Sequence, residues 1–475
     1  MIFACGPVEA EQPVPETAAA KAEKKIIIPP GRGESFEALK YFAAPKPLAE
    51  GAVTEDWPSF LGASHIGISR EKPLLKKWPD TGPAKVWQMT TGSGYAAPCV
   101  VGNRLVYFHR LDDEQVVECL RADNGRRLWR FAYPSDYRDR FGYNNGPRAS
   151  PVHAEGRVFT LGVQGKLHAL SLADGRVLWK RDLGADHKLR QNFFGFGTTP
   201  LIDSGRLIVN VGAVGGPTVV GFDPATGRVL WSSGKRWGSS YATPVPATVH
   251  GQKRVMVFAG GESRPPHGGL ICLNPVDGQI DFEVAWRSRS YESVNAANPV
   301  VVGGDRVFVT ATYDTGGLMV RIKPDFTQET AWEAEGFGSH FGTPILHEGH
   351  LYGFDGRNPP LIDLVCYEAK TGREVWRKKL TWEDRLNGRA AEMSPYRAAL
   401  IRADGAFLCL GEYGHLLWLD LSPEGPKILA RHWLFTAMET WTPPVISRGL
   451  LYVTQNSRDQ VTGARPRLIC YDLRA

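Results

Sequence analysis

One phrase constrains this chain more than any other: G-F-D-P-A-T-G-R-V-L-W, from Gly221 to Trp231. Asp223 is placed to accept backbone N–H bonds inside a tight turn, and Gly227 supplies the positive φ that such a turn needs. Val229 and Trp231 then follow two apart along a strand. Copies read C-L-R-A-D-N-G-R-R-L-W (Cys119 to Trp129), A-L-S-L-A-D-G-R-V-L-W (Ala169 to Trp179) and C-Y-E-A-K-T-G-R-E-V-W (Cys366 to Trp376). A stretched copy runs from Cys272 to Trp286, a degraded one ends at Trp332, one from Leu419 to Gly425 lacks the closing Trp, and the last starts at Cys470.

A second phrase precedes each copy: Pro, a short apolar run, Gly, then alternating apolar residues. It begins at Pro98, Pro151, Pro200, Pro244, Pro299, Pro344, Pro395 and Pro443, a spacing of about 44 to 55 residues. Each unit reads as four short strands bounded by Gly, Asp and Asn turns. The expected fold is therefore all-β, an eight-bladed β-propeller of four-stranded antiparallel blades. The last copy ends after its third strand, and Ala84 to Trp87 is a fourth strand with no first three. The two together complete one blade, so the ring closes by joining its ends. The recurring Trp residues (87, 129, 179, 231, 286, 332 and 376) are expected between neighbouring blades.

The repeat makes residues 52–475 one ring. Residues 1–51 are expected to be a disordered tether rich in Ala, Pro, Glu and Lys. Within them Ala4-Cys5-Gly6 matches the end of a bacterial lipoprotein signal, without the charged and apolar regions that precede such an end. Cys5 is either a lipidation site of a signal that starts further upstream, or the match is chance. A net charge of +6, with Lys and Arg scattered, argues against nucleic-acid binding. Of seven cysteines, Cys119, Cys272, Cys366 and Cys470 share one place in the repeat and read as inert core thiols, as do Cys99 and Cys409.

Residues 57 to 475, with A-x-D-x-x-T-G-x-x-x-W matched best at Gly221 to Trp231 and Cys366 to Trp376, resemble the PQQ-like (pyrrolo-quinoline quinone) repeat propellers of bacterial cell envelopes. These belong to the quinoprotein alcohol dehydrogenase-like superfamily, which includes BamB-like proteins. The resemblance implies export to the periplasm or cell envelope. It also implies a choice between two roles. One is a monomeric, non-catalytic interaction or scaffold protein that meets an envelope protein or a small-molecule or sugar ligand, with membrane contact only through a lipid anchor. The other is a quinone- or metal-dependent oxidoreductase, or a carbohydrate-active or carbohydrate-binding propeller that uses Phe193, Phe194 and Trp441. Quinoprotein dehydrogenases use adjacent cysteines, a Trp beneath the quinone and a carboxylate/Asn set around calcium. No two cysteines here are adjacent. No cofactor is therefore expected, PQQ with calcium being the alternative.

Any ligand site belongs at the channel mouth, where the loops entering the innermost strands converge with those joining second to third strands. The candidates there are Asn145, Arg148, Tyr241, Asn295, His340, Glu412 and Trp441. Arg148 suits a carboxylate or phosphate. Glu412 suits a base or metal ligand, and His340 a general acid or ligand. Trp441 and Tyr241 suit stacking on a planar or sugar ring. The same residues also suit a structural role, capping strand ends and pairing with each other, with Arg148 and Glu412 as an ion pair across the channel. Arg264 and His267 read as solvated loop residues.

Overall fold

A computed structural model describes residues 24–27 and 33–475, apart from 190 and 387. Eight four-stranded antiparallel sheets follow one another, each with its first strand innermost. The inner strands of blades 1 to 8 are Cys99–Val101, Val152–Ala154, Leu201–Asp203, Val245–Val249, Val300–Val302, Ile345–His347, Ala399–Ala403 and Val445–Ser447. Ala84–Thr90 pairs antiparallel with Arg467–Asp472 and completes blade 8, so the ring closes as the sequence requires. A two-stranded hairpin, Trp382–Leu386 with Arg389–Met393, is inserted between blades 6 and 7. Among the described residues no helix is long and apolar enough to cross a membrane.

The core lies between blades. In the strand Arg157–Leu161, Val158 packs towards blade 1, whereas Phe159 and Leu161 pack towards blade 3. Successive side chains point to opposite faces of a strand, and here each face is covered by a neighbour. Both registers must therefore be apolar. The largest cluster straddles the seam and joins blades 7, 8 and 1 through Trp418, Tyr452, Trp87 and Leu120.

The recurring Trp sits between blades and is held at both ends. Its Nε1 donates to a backbone carbonyl of the next blade: Trp87 to Ala122 (2.9 Å), Trp129 to Leu172 (2.9 Å), Trp179 to Pro224 (3.0 Å) and Trp376 to Ser422 (2.8 Å). Opposite the Trp, the third strand of most blades carries a small residue, as in the pairs Cys119 with Trp129 and Cys366 with Trp376, whereas Met319 faces Trp332 in blade 5. In blade 4 the register puts Phe282 opposite Cys272, so Phe282 and not Trp286 holds the repeat position. Blade 7 reverses the pair: Trp418 lies opposite Ala430. Its indole donates to Leu75 O at 3.2 Å, which accounts for the copy that lacks a closing Trp. The six described cysteines are buried and unbonded, and burial pushes the Cys366 thiol to about 11 and the Cys119 thiol to about 12. Cys5 lies outside the described residues.

Part of the stretch ahead of residue 52 is paired with the ring. Lys24–Ile27 adds a fifth strand to blade 1 along Trp129–Ala132, and Leu39–Tyr41 adds one to blade 8 along Trp87–Met89. Each satisfies backbone groups that an outermost strand would leave unpaired. Arg126 donates to Gly33 O from Nε (2.9 Å) and Nη2 (2.7 Å), and the guanidinium of Arg127 lies 3.8 Å over the Phe36 ring. The segment thus spans the seam between the first and last blades.

Candidate functional site

The chain enters each inner strand from one end of the ring, and at that end the side chains three residues before the opening proline point inwards. At this register stand Tyr95, Arg148, Tyr241 and Phe341, and in blade 8 Trp441, three residues before Pro444, the proline that adjoins the inner strand. Below them runs a belt of hydrogen bonds from blade to blade. Ala97 N donates to Ser150 Oγ (2.9 Å), Ser150 N to Thr199 Oγ1 (3.0 Å), Thr243 N to Asn298 Oδ1 (2.8 Å) and Asn298 N to Thr343 Oγ1 (3.0 Å). The belt fixes the height of the loops that carry the candidate residues.

Trp441 is the hub. Its ring stacks on Tyr95 (5.3 Å between centroids) and meets Phe341 (4.7 Å) and Tyr143 (5.8 Å). These rings come from loops entering blades 8, 1, 6 and 2. Phe193, entering blade 3, meets Tyr291, entering blade 5, at 5.2 Å. Each of the contacts Phe341–Trp441, Tyr143–Trp441 and Phe193–Tyr291 passes over one intervening blade, so aromatic side chains form a roof along the inner rim of the channel mouth.

Glu412 is buried and accepts from Arg397 Nε (3.0 Å), from Arg397 Nη2 and from Trp441 Nε1 (3.1 Å). The Arg397 guanidinium also lies 4.9 Å over the Trp441 ring. Arg148 pairs with Asp139 instead: Nη2 donates to Oδ2 at 2.9 Å, with side-chain exposures of 8% and 1%. Asp139 further accepts from the Tyr137 hydroxyl (3.1 Å) and from Phe141 N (2.9 Å), while its own N–H donates to Asn145 Oδ1 (2.7 Å). The expected ion pair between Arg148 and Glu412 does not form, because each has a nearer partner on its own loop system.

His340 stacks on Phe341 at 3.9 Å, and its Nδ1 is buried without a hydrogen-bond partner. Burial, helped by the Arg397 and Arg357 charges, lowers its pKa to about 3, so the ring is neutral at physiological pH. Tyr241 OH accepts from Phe194 N at 2.7 Å, and burial raises its pKa. Asn295 donates from Nδ2 to Ala259 O (2.8 Å), and its backbone carbonyl accepts from Tyr241 N (2.9 Å).

The fold therefore gathers the candidates into three groups: Asn145 with Arg148 around Asp139, Glu412 with Trp441 and His340 around Arg397 and Phe341, and Tyr241 with Asn295. Tyr95 and Phe341 were missed by sequence reasoning, although they stand at the same register as Arg148, Tyr241 and Trp441. Asp139 and Arg397 lie off that register and carry no comparable signal. Among the described residues no three His, Cys, Asp or Glu side chains are grouped to hold a metal ion.

Ring, repeat and closure define a PQQ-like repeat β-propeller. A family model described as outer membrane protein assembly factor BamB matches residues 112–378, more than half of the chain, and the chain belongs to that family. Solved structures share the fold at low identity. A europium-containing methanol dehydrogenase aligns with a TM-score of 0.63 and 11% identity over 88% of this chain and 98% of its own. BamB from Moraxella catarrhalis aligns at 0.52 and 14%, over 82% and 98%. The quinohemoprotein alcohol dehydrogenase from Comamonas testosteroni aligns at 0.59 and 12%, over 88% and 80%. A comparison with curated proteins finds no match.

Proposed function

We propose that this chain is a non-catalytic interaction propeller of the bacterial cell envelope, and that it meets its partner with the channel-mouth face. The distribution of exposed apolar side chains carries this reading. Of the thirteen exposed large apolar side chains among the described residues, Phe141, Tyr143, Val214, Leu361, Met438 and Val461 lie in mouth-face loops, Val276 lies in a turn at the opposite end, and Tyr41, Phe42, Leu48, Val53, Leu178 and Leu429 are spread over the stretch 41–53 and the outermost strands. Exposed apolar side chains gathered on one face mark an interaction site. Function on such scaffolds resides in the loops.

The charged candidates support the same reading. Glu412 spends both oxygens on Arg397 and Trp441, and Arg148 is held by Asp139. The six described cysteines are buried and unbonded, none next to another in sequence. Such residues do not fit the cysteine pair and the calcium-binding carboxylates of a quinoprotein. The family match to an assembly factor supports export, and Cys5 is the position a lipid anchor would use.

A photo-crosslinking amino acid placed at Phe141 or Met438 in the full chain, with Val276 as control, tests the proposal in native envelopes. Discrete crosslinked species from the mouth positions and none from Val276 are expected. Dye reduction that depends on added PQQ and calcium, and is lost in Glu412→Gln, would overturn it in favour of an oxidoreductase.

A further inference from the structure

On the mouth face above blades 4 to 6, three guanidinium groups gather without a carboxylate in ion-pair contact among the described residues. Arg287 is partly buried, and every acceptor it meets is neutral. It donates from Nε to Ser293 Oγ (3.1 Å), from Nη1 to His267 O (3.0 Å), Ser263 Oγ (3.3 Å) and Gly261 O, and from Nη2 to Ser293 O (2.5 Å). Burial lowers its pKa to about 10. A buried cation without a counter-charge is costly to keep. What it does here is fold the loop 261–268 around itself and tie that loop to Ser293.

The two loops so fixed present a second guanidinium. Arg264 lies 3.7 Å over the ring of Tyr291, whose hydroxyl is anchored on Glu262. A third stands two blades on, in the loop of blade 6. Arg357 lies 4.1 Å over the ring of Tyr313, whose carbonyl accepts from Ser288 Oγ at 3.1 Å. Tyr313 and Asp314 both adopt positive φ, 62° and 57°. Left-handed backbone at two successive non-glycine residues is strained and persists where the surroundings impose it. Both stacked arginines are exposed. Glu262 is engaged by Arg140 and Tyr291, which leaves Glu292 as the carboxylate on which both Arg264 and Arg357 act electrostatically.

A guanidinium held over an aromatic ring by cation–π attraction retains N–H donors for a ligand, and its planar fork suits bidentate contact with a carboxylate. We propose that Arg264 and Arg357 are the recognition residues, and Arg287 the positioning residue, of a site for an acidic polypeptide segment. This deepens the interaction reading and rests on it. A polypeptide is favoured over an acidic glycan for two reasons. The guanidinium groups already cover one face of each tyrosine that a sugar would stack on. In addition, Leu361, four residues from Arg357 in the same loop, is 83% exposed and offers an apolar contact between charges.

The test uses the full chain and a fluorescent peptide that alternates Glu with Leu, its Gln counterpart, and oligogalacturonate as competitor. Binding of the Glu peptide that weakens with added salt is expected, as is a loss of about ten-fold or more in Arg264→Ala/Arg357→Ala. Arg264→Lys/Arg357→Lys, which keeps the charge and removes the planar fork, is expected to lose affinity too. Arg228→Ala, in an exposed turn at the opposite end, should bind as the parent does. Equal binding of the Gln peptide, full affinity in either double variant, or stronger binding of the oligogalacturonate overturns the site. If mouth-face crosslinks persist while the site fails, the interaction reading stands without it. Peptide binding together with PQQ-dependent turnover would leave the site and sink the non-catalytic reading.

Discussion

The indole of Trp179 lies against Gly227 of the next blade so closely that a Cβ built on that glycine would stand 2.6 Å from Trp179 Cε3. Trp87 meets Gly125, Trp129 meets Gly175, Trp231 meets Gly278 and Trp332 meets Gly372 in the same way. The repeat thus encodes an interface: the Trp that ends one copy is shaped to the turn glycine of the copy that follows.

Gly227→Ala is expected to lower stability by about 2–4 kcal/mol, combining a left-handed backbone at φ 72° with overpacking against the indole. Gly102, at φ 57° with nothing within 4 Å of a built Cβ, isolates the backbone contribution. Gly102→Ala should cost about 1–2 kcal/mol. Denaturant midpoints of the two variants separate packing from strain. Equal losses would remove the Trp–Gly contact as a cause.

Blade 7 offers a compensation experiment. Trp418 fills the interblade space from the third strand, opposite Ala430. Trp418→Ala should cost about 3–5 kcal/mol, the range for emptying a large aromatic site. Adding Ala430→Trp restores the order of the other blades and is expected to recover part of that loss in thermal unfolding. A double variant no more stable than Trp418→Ala would show that the two strands are not interchangeable as sources of the indole.

Ring number and closure were legible because every blade carries its own Pro and Gly, six of the eight carry a closing Trp at fixed register, and each signal is local. The Phe282 substitution was obscured by residue type: Phe282 follows Cys272 by ten residues, as Trp129 follows Cys119 and Trp376 follows Cys366 over the same bulge, but the nearby Trp286 masks it. The strands Lys24–Ile27 and Leu39–Tyr41 were equally hidden, since their partners lie far along the chain. At the site, residue types and loops were readable and pairings were not. Arg148 chooses Asp139 over Glu412 because the loop 139–148 curls back on itself, with Asp139 Oδ1 accepting from Tyr143 N at 3.2 Å.

The Arg148–Asp139 pair is nearly solvent-free, so breaking it from one side should be costly. Asp139→Asn leaves a buried guanidinium with carbonyl partners alone and is expected to destabilise by about 3–5 kcal/mol. Arg148→Met/Asp139→Leu removes both charges and should cost less than the single change. A double-mutant cycle on unfolding midpoints checks the order. A single variant with parental stability would show that solvent reaches the pair.

His340 gives the mouth a pH signature. Its pKa falls from the ordinary value near 6.5 to about 3 on folding, chiefly because burial disfavours the charged ring, with Arg397 and Arg357 adding repulsion. Between these values the unfolded chain binds a proton that the folded chain does not, so stability rises with pH across that window and is lost as pH falls through it. One such histidine contributes a slope of about 1.4 kcal/mol per pH unit. His109 (about 3) and His415 (about 4) are lowered by burial as well and add to the same slope. His340→Phe keeps a planar ring against Phe341 and removes the titrating group. Unfolding free energy followed from pH 4 to pH 6 should therefore rise less steeply in His340→Phe than in the parent, by about one histidine's share. Parallel slopes would mean that the His340 ring is already solvated in the folded state and that the aromatic roof over the channel is open.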